Sequence, residues 1–132
     1  HPYIIRANKE ADWNFIWEAS EDIQFTTYNK GDFYDWHVDC FNQNDLKNRE
    51  PLKNKQRKLS ISVSLSDKKD YTGGDFEFDF RNTREKKTVI CNEIKEQGTV
   101  IVFPSFVWHK VHPVLSGTRY SLVMWNVGDE WK

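Results

Sequence analysis

Short segments in which apolar and polar residues alternate dominate this chain from residue 24 onward. The clearest is Leu59–Leu65, where leucine, isoleucine and valine alternate strictly with serine. A period of two is typical of a β-strand with two chemically different faces. The serine face has two interpretations, because it can either face solvent, the commoner case in general, or line a polar cavity.

Seven further segments have the length and composition of short strands and are separated by turn signals. They are Gln24–Tyr28, Phe33–Asp39, Asp75–Phe80, Thr88–Cys91, Thr99–Phe103, Val107–Val111 and Thr118–Val127. The glycine-containing and charged segments between them are predicted turns. These are residues 29–32, 71–74, 81–87 and 116–117. The long polar segment Cys40–Gln56 is predicted to be a surface loop and is a candidate lid.

A helix is predicted before the strands, over Ile5–Ala19. Alanine or phenylalanine recurs there at every fourth position from Ala7. One helix followed by many short strands indicates a mainly β protein. We favour a double-stranded β-helix (jelly roll) with an N-terminal flanking helix, because this architecture curls two sheets around a central cavity.

The overall composition narrows the functional class. The 132 residues suit a single domain spanning 1–132, and the 19 basic and 20 acidic residues nearly cancel. Nothing in that balance indicates a nucleic acid or a membrane surface as partner. Two cysteines, Cys40 and Cys91, make no disulfide framework and fit a reducing, cytoplasmic location. Because the chain begins at His1 rather than Met, we expect that native N-terminal residues precede it.

Three side chains form a candidate metal site. His37 and Asp39 lie two residues apart on a predicted strand, so they project from the same face. Two histidines and one carboxylate are the ligand set of non-haem Fe(II) oxygenases. The second histidine must be His109 or His112, which point to opposite faces of one strand. We select His109, because it follows an apolar, aromatic stretch and shares a face with Val111.

A candidate anion site lies farther along the chain. Arg119 shares a strand face with Ser121 and Trp125, and its guanidinium suits the carboxylate of a cosubstrate. Tyr28 ends the strand that leads into the His37 hairpin, where its phenol could hydrogen-bond a ligand. Each of these side chains alone is equally well explained as an ordinary core or surface residue.

The order of these motifs resembles that of prolyl 4-hydroxylase-like 2-oxoglutarate/Fe(II)-dependent dioxygenases of the small bacterial or phage type. The resemblance extends from about Phe25 to Trp125. Its motifs, in chain order, are residues 28–39, 57–60, 71–76, 98–105, 109–114 and 117–121. Their joint order is far more specific than any one of them.

The resemblance implies iron ligation by His37, Asp39 and His109. The residues that it implies for binding 2-oxoglutarate are Arg119, Tyr28 and Ser121. It implies hydroxylation of an unactivated carbon with Fe(II), 2-oxoglutarate and O2, release of succinate and CO2, and ascorbate as a candidate reductant. The expected substrate is a prolyl or other residue in a peptide or protein, although no motif identifies prolyl specificity.

Three alternatives make different use of the same residues. The first is a cupin-like metal or small-molecule binding module without oxygenase activity, which has no need for Arg119. The second is a Zn(II) hydrolase with the same three ligands, for which no glutamate beside either ligand motif offers a general base. The third is a structural sandwich in which the histidines are incidental, and it predicts no stoichiometric metal.

Overall fold

The computed structural model describes residues 2–13, 19–40, 55–81 and 87–129. Within these ranges the chain forms one α-helix, a short 3₁₀-helix at Glu93–Lys95 and eleven strands. In chain order they are α1 (Pro2–Glu10), β1 (Ala19–Ser20), β2 (Gln24–Tyr28), β3 (Tyr34–His37), β4 (Lys55–Ser64), β5 (Tyr71–Gly73), β6 (Phe76–Asp79), β7 (Val89–Ile90), β8 (Val100–Pro104), β9 (Trp108–Val111), β10 (Val114–Gly117) and β11 (Arg119–Asp129).

Two antiparallel sheets form the framework. The first has the order β1-β11-β4-β8, with β2 also paired to β11, and the second has the order β3-β9-β6-β7. Phe103 of the first sheet packs against Phe76 and Phe78 of the second, with ring centroids 6.0 and 5.0 Å apart. The two sheets therefore face each other, and the predicted jelly roll with an N-terminal helix is confirmed.

Strand β4 explains how a cavity forms between the sheets. Its apolar residues Leu59 and Ile61 are buried in a cluster with Ile4 of α1. Its serines face the opposite way, and Ser60 and Ser62 line a cavity between the sheets while being almost completely buried. The polar face of this strand therefore lines a cavity and does not face solvent.

The helix is shorter than predicted, because it ends at Glu10. The N–H of Asp12 donates to the carbonyl of Lys9, and the N–H of Trp13 donates to the carbonyl of Asn8. With Asp12 at φ 53°, this is the hydrogen-bond pattern of a Schellman helix end. Trp13 then packs against the Ile4 cluster, whereas residues 14–18 of the predicted helix lie outside the described residues.

Two predicted turns are strands. Residues 71–73 form β5 and residues 114–117 form β10, and the two strands pair with each other. The glycines that signalled turns here instead permit a close approach of the two backbones. A Cβ on Gly117, which has φ 73°, would collide with the carbonyl oxygen of Asp70. Strand β4 is also longer than predicted, because it begins at Lys55.

Replacing Gly117 by alanine is expected to destabilise the fold by about 3 kcal/mol or more, because a left-handed conformation and a steric clash combine there. The matched control is Gly31→Ala. Gly31 has φ 90° but nothing within 4 Å of an added Cβ, so only about 1 kcal/mol of backbone strain is expected. Urea unfolding of both variants measures the difference, and equal losses would contradict the clash.

Parts of the predicted loops lie outside the described residues. This applies to residues 41–54 of the candidate lid and to residues 82–86 of the charged turn.

No helix in the described part of the chain has the length and apolar character needed to cross a bilayer. Neither Cys40 nor Cys91 forms a disulfide bond with another described residue.

Candidate metal centre

Three potential ligand atoms converge at one end of the second sheet. His37 on β3 and His109 on β9 are directly paired across the two strands, and Asp39 follows β3 by two residues. Oδ1 of Asp39 lies 3.4 Å from Nε2 of His37 and 3.3 Å from Nε2 of His109. Ligand atoms about 2.1 Å from an ion and at right angles to each other would be about 3 Å apart, so the three atoms fit a facial metal site.

Backbone carbonyls orient both imidazole rings. Nδ1 of His37 lies 2.7 Å from the carbonyl oxygen of Asp35, and Nδ1 of His109 lies 2.9 Å from that of Val107. A carbonyl only accepts, so each Nδ1 donates a proton to its carbonyl, and Nε2 is the ring nitrogen left on each histidine to bind a metal ion. Such bonds fix the tautomer of metal-binding histidines. His112 points away from this site and bonds Glu77 instead, at 2.7 Å.

The second oxygen of Asp39 has its own partners. Oδ2 accepts hydrogen bonds from the hydroxyl of Ser60 at 2.5 Å and from the indole N–H of Trp125 at 3.0 Å. Burial opposes ionisation of this carboxyl group, but its contacts with His109, His37 and Ser60 hold its pKa well below the usual range. Asp39 is therefore ionised, and its Oδ1 is the oxygen that can bind a metal ion.

Arg119 is a buried cation for which the described residues provide no ion pair. The residue is 1% exposed, and its Nε and Nη2 have no hydrogen-bond partner among the described residues. Unpaired buried N–H groups of a guanidinium are costly, and a carboxylate is the ligand that pairs with two of them at once.

The other residues predicted to bind a cosubstrate surround Arg119. Tyr28 is its register partner on β2, and the ring centroid of Tyr28 is 5.3 Å from Cζ of Arg119. Burial raises the pKa of Tyr28, so its phenol stays a hydrogen-bond donor. Ser121 is buried and pairs in register with Ser64, whose buried Oγ also has no partner among the described residues.

One cavity of about 370 Å³ joins the metal triad to the anion site, within the range of small-molecule pockets. The triad, Tyr28, Arg119, Ser121 and Trp125 all contribute to its lining. The side chain of His109 is 5% exposed, whereas that of His37 is 25% exposed. His109 therefore lies in a buried part of the cavity wall, and His37 in a more accessible part.

Sequence reasoning placed Trp125 on the face of Arg119 but did not connect Trp125, Ser60 or Arg57 with Asp39. Ser60 and Trp125 are register partners on β4 and β11, and this pairing brings both donors to Asp39. Cζ of Arg57 lies 3.7 Å from the ring centroid of Trp125, and two nitrogens of Arg57 donate to the carboxylate of Glu21. Arg57 therefore packs on the face of the indole whose N–H edge bonds Asp39. A donor residue every second position on β4 was the available signal, but the strand pairing was needed to interpret it.

Replacing Trp125 by phenylalanine is expected to weaken metal binding by about tenfold, because it removes the indole N–H from Asp39 but keeps an aromatic ring. A Co(II) titration of the two proteins measures the change. Trp36→Phe is the matched control, since Trp36 contacts Lys110 and does not line the cavity. Equal affinities of Trp125→Phe and wild type would show that this bond does not support the site.

Curated relatives share most of this chain but are longer. A PKHD-type hydroxylase from Synechococcus sp. (strain CC9605) is 35% identical over 96 residues, covering 72% of this chain and 36% of that protein. A PKHD-type hydroxylase from Pseudomonas paraeruginosa (strain DSM 24068 / PA7) is 28% identical over 103 residues, covering 77% and 41%. The chain thus spans about two fifths of the length of these relatives.

Solved structures with a similar fold include a Pseudomonas putida prolyl-4-hydroxylase. It has a TM-score of 0.65 and 24% identity, and the match covers 93% of this chain and 59% of that one. A viral collagen prolyl hydroxylase from Paramecium Bursaria Chlorella virus-1, in a 2OG complex, has a TM-score of 0.64 and 19% identity, with 98% and 70% covered. At these identities the likeness shows a shared fold.

A family model described as the 2OG-Fe(II) oxygenase superfamily matches residues 23–127. The matched span contains the metal triad and Arg119. This family implies Fe(II), 2-oxoglutarate and O2, and the His37–Asp39–His109 cluster can hold the metal. The chain therefore belongs to the 2OG-Fe(II) oxygenase superfamily.

Proposed function

We propose that this chain is a 2-oxoglutarate-dependent, non-haem Fe(II) dioxygenase. It hydroxylates an unactivated carbon in a peptide or protein, at a prolyl or another residue, and releases succinate and CO2. One observation carries the proposal: the cavity that contains the metal triad also contains the buried cation Arg119, whose Nε and Nη2 have no hydrogen-bond partner in the part of the chain that the structure describes. A metal-binding module without oxygenase activity has no use for that second site.

Each residue has a defined task in this proposal. His37, Asp39 and His109 hold the iron, and Arg119 pairs with the distal carboxylate of 2-oxoglutarate. Tyr28 and Ser121 donate hydrogen bonds to the same cosubstrate. Bound Fe(II) and 2-oxoglutarate supply the oxidising chemistry by activating O2. The protein binds and orients both, and the burial of His109 and Arg119 limits the access of water to this part of the cavity.

The known relatives support a peptide or protein substrate. Curated relatives carry the name PKHD-type hydroxylase. A Trichoplax adhaerens prolyl hydroxylase with a similar fold was solved in complex with a hypoxia inducible factor peptide fragment. His37 is partly exposed, and the ring of Tyr34 is tilted against it with the ring centroids 4.0 Å apart, so a substrate chain can approach the metal centre on this side.

The proposal includes a reducing compartment, the cytoplasm, and ascorbate as reductant. Cys40 and Cys91 form no disulfide among the described residues, which supports that setting, because disulfides are rare in reducing compartments. Ferrous iron also persists there.

The test is turnover of the cosubstrate. The protein with Fe(II), ascorbate, 2-oxoglutarate and O2 is expected to form succinate, slowly alone and faster with a suitable proline-containing peptide. His109→Ala is the control for reactions of free iron in solution, because it removes one metal ligand and introduces no larger side chain. Succinate formation that is equal in wild type and His109→Ala would overturn the proposal.

A further inference from the structure

Ser105 connects to the metal triad without contributing a ligand atom. It lies in the turn after β8 and is completely buried. Its hydroxyl is 2.9 Å from the hydroxyl of Ser60, which bonds Oδ2 of Asp39 at 2.5 Å. The carbonyl of Ser105 accepts the N–H of Asp39 at 2.9 Å. Ser105 therefore reaches Asp39 by two separate routes, one through the backbone and one through hydroxyl groups.

Hydrogen-bond chemistry fixes the direction of the hydroxyl route. An ionised carboxylate only accepts, so the single proton of the Ser60 hydroxyl is donated to Oδ2 of Asp39. The Ser60 oxygen can then only accept from Ser105, whose proton points toward it. The result is a one-way chain from Ser105 through Ser60 to Asp39, and each bond in such a chain polarises the next.

We propose that Ser105 is a positioning residue of the metal centre, which acts through Ser60 to keep Oδ2 of Asp39 engaged and leave Oδ1 as the one ligand oxygen. The inference rests on the proposed function, because it assumes that the triad binds a metal ion. Ser105 ends the sequence motif 98–105, but that motif gives it no role at the metal centre, because its contacts with Ser60 and Asp39 join segments that are distant in the sequence.

The coordination requirement gives this chain of hydroxyls its importance. A carboxylate that binds an ion through both oxygens occupies two positions, whereas one oxygen and two imidazoles occupy three in total. An oxygenase that binds a bidentate cosubstrate and O2 needs the remaining positions. Two donors on Oδ2, Ser60 and Trp125, compete with the ion for that oxygen, and Ser105 strengthens the first of them.

A double-mutant cycle tests the proposal with Co(II) as the probe, in the absence of 2-oxoglutarate. The proteins are wild type, Ser105→Ala, Ser60→Ala and the double variant. Ser105→Ala removes only the hydroxyl and retains the backbone bond to Asp39. We expect it to weaken Co(II) binding about threefold to tenfold, and Ser60→Ala to weaken it about tenfold to a hundredfold. In the Ser60→Ala background, Ser105→Ala is expected to add nothing.

Two further readouts separate positioning from general destabilisation. The visible spectrum of bound Co(II) responds to coordination number, so it is expected to change in Ser105→Ala. Ser66→Ala is the matched control, because Ser66 is also buried and its hydroxyl accepts the N–H of Tyr120, away from the triad. It is expected to lower thermal stability comparably while leaving Co(II) affinity and the spectrum unchanged.

The outcomes separate this inference from the proposed function. If wild type binds Co(II) and Ser105→Ala binds it equally well with the same spectrum, the role of Ser105 is wrong and the metal site stands. An undiminished effect of Ser105→Ala in the Ser60→Ala background also overturns it, because the chain would not pass through Ser60. If wild type binds no Co(II), the proposed metal site fails, and this inference fails with it.

Discussion

Replacing Asp39 by asparagine is expected to weaken metal binding by more than about a hundredfold and to abolish succinate formation. Loss of a supporting hydrogen bond alone typically costs tenfold to a hundredfold in affinity, and loss of a charged ligand costs more. Asparagine has nearly the same shape and still accepts from Ser60 and Trp125, so the fold is expected to persist. A Co(II) titration and a thermal melt of the metal-free protein measure the two effects.

The matched control for Asp39→Asn is Asp67→Asn. Asp67 bonds the N–H of Lys69 in a surface turn and does not line the cavity. The Asp67→Asn substitution makes the same chemical change as Asp39→Asn and is expected to leave the metal affinity unaltered. Retention of metal binding in Asp39→Asn within a factor of three or so of wild type would contradict the proposed ligand set.

The difference in stability between wild type and Asp39→Asn is expected to depend on pH. Contacts with the two imidazoles and Ser60 hold the pKa of Asp39 below its unfolded value of about 3.9. A lowered carboxyl pKa stabilises the folded state above the unfolded value and stops doing so as pH falls through the folded one. The stability advantage of metal-free wild type over Asp39→Asn is therefore expected to be constant above about pH 5 and to shrink below about pH 4. An advantage that grows on acidification would contradict this.

Replacing Arg119 by methionine is expected to reduce 2-oxoglutarate affinity by about a hundredfold or more. Removing one partner of a buried, hydrogen-bonded charge pair costs about 2–5 kcal/mol. The stability of the ligand-free protein, in contrast, is not expected to fall. Nε and Nη2 of Arg119 are buried and have no partner within residues 2–13, 19–40, 55–81 and 87–129, so methionine removes two unsatisfied groups, and the variant is expected to be at least as stable as wild type.

Thermal melts with and without 2-oxoglutarate measure both effects of Arg119→Met together. Wild type with metal is expected to gain stability from the cosubstrate by mass action, and the variant is expected to gain almost none. Arg81→Met is the matched control, because Arg81 is exposed and packs over Trp108 outside the cavity. A large loss of stability in ligand-free Arg119→Met would show that the guanidinium has a structural role instead.

The sequence was informative wherever one strand determines the geometry. Alternation identifies the strands, and the two-residue spacing of His37 and Asp39 puts both on one side. Face parity on β9 distinguishes His109 from His112, and the structure places His109 beside Asp39 while His112 bonds Glu77. The identification of the family is confirmed by the family model and the curated relatives.

Features that depend on pairing between distant segments could not be predicted. Ser60 and Trp125 meet Asp39 only because β4 and β11 pair in one particular register. Ser105 joins them because a turn folds back on β4, where its N–H bonds Lys58. The helix end at Asp12 was missed because a left-handed aspartate replaces the usual glycine, and a four-residue alanine repeat continues past it.

The anaerobic absorption spectrum with Fe(II) and 2-oxoglutarate tests the central claim most directly. Charge transfer from ferrous iron to a chelating 2-oxo acid gives a visible band that neither component gives alone. We expect this band to appear at one equivalent of each in wild type, to disappear in His37→Ala, and to require far more 2-oxoglutarate in Arg119→Met. A well-folded wild-type protein that binds Fe(II) and 2-oxoglutarate without such a band, or that binds neither, would contradict the account.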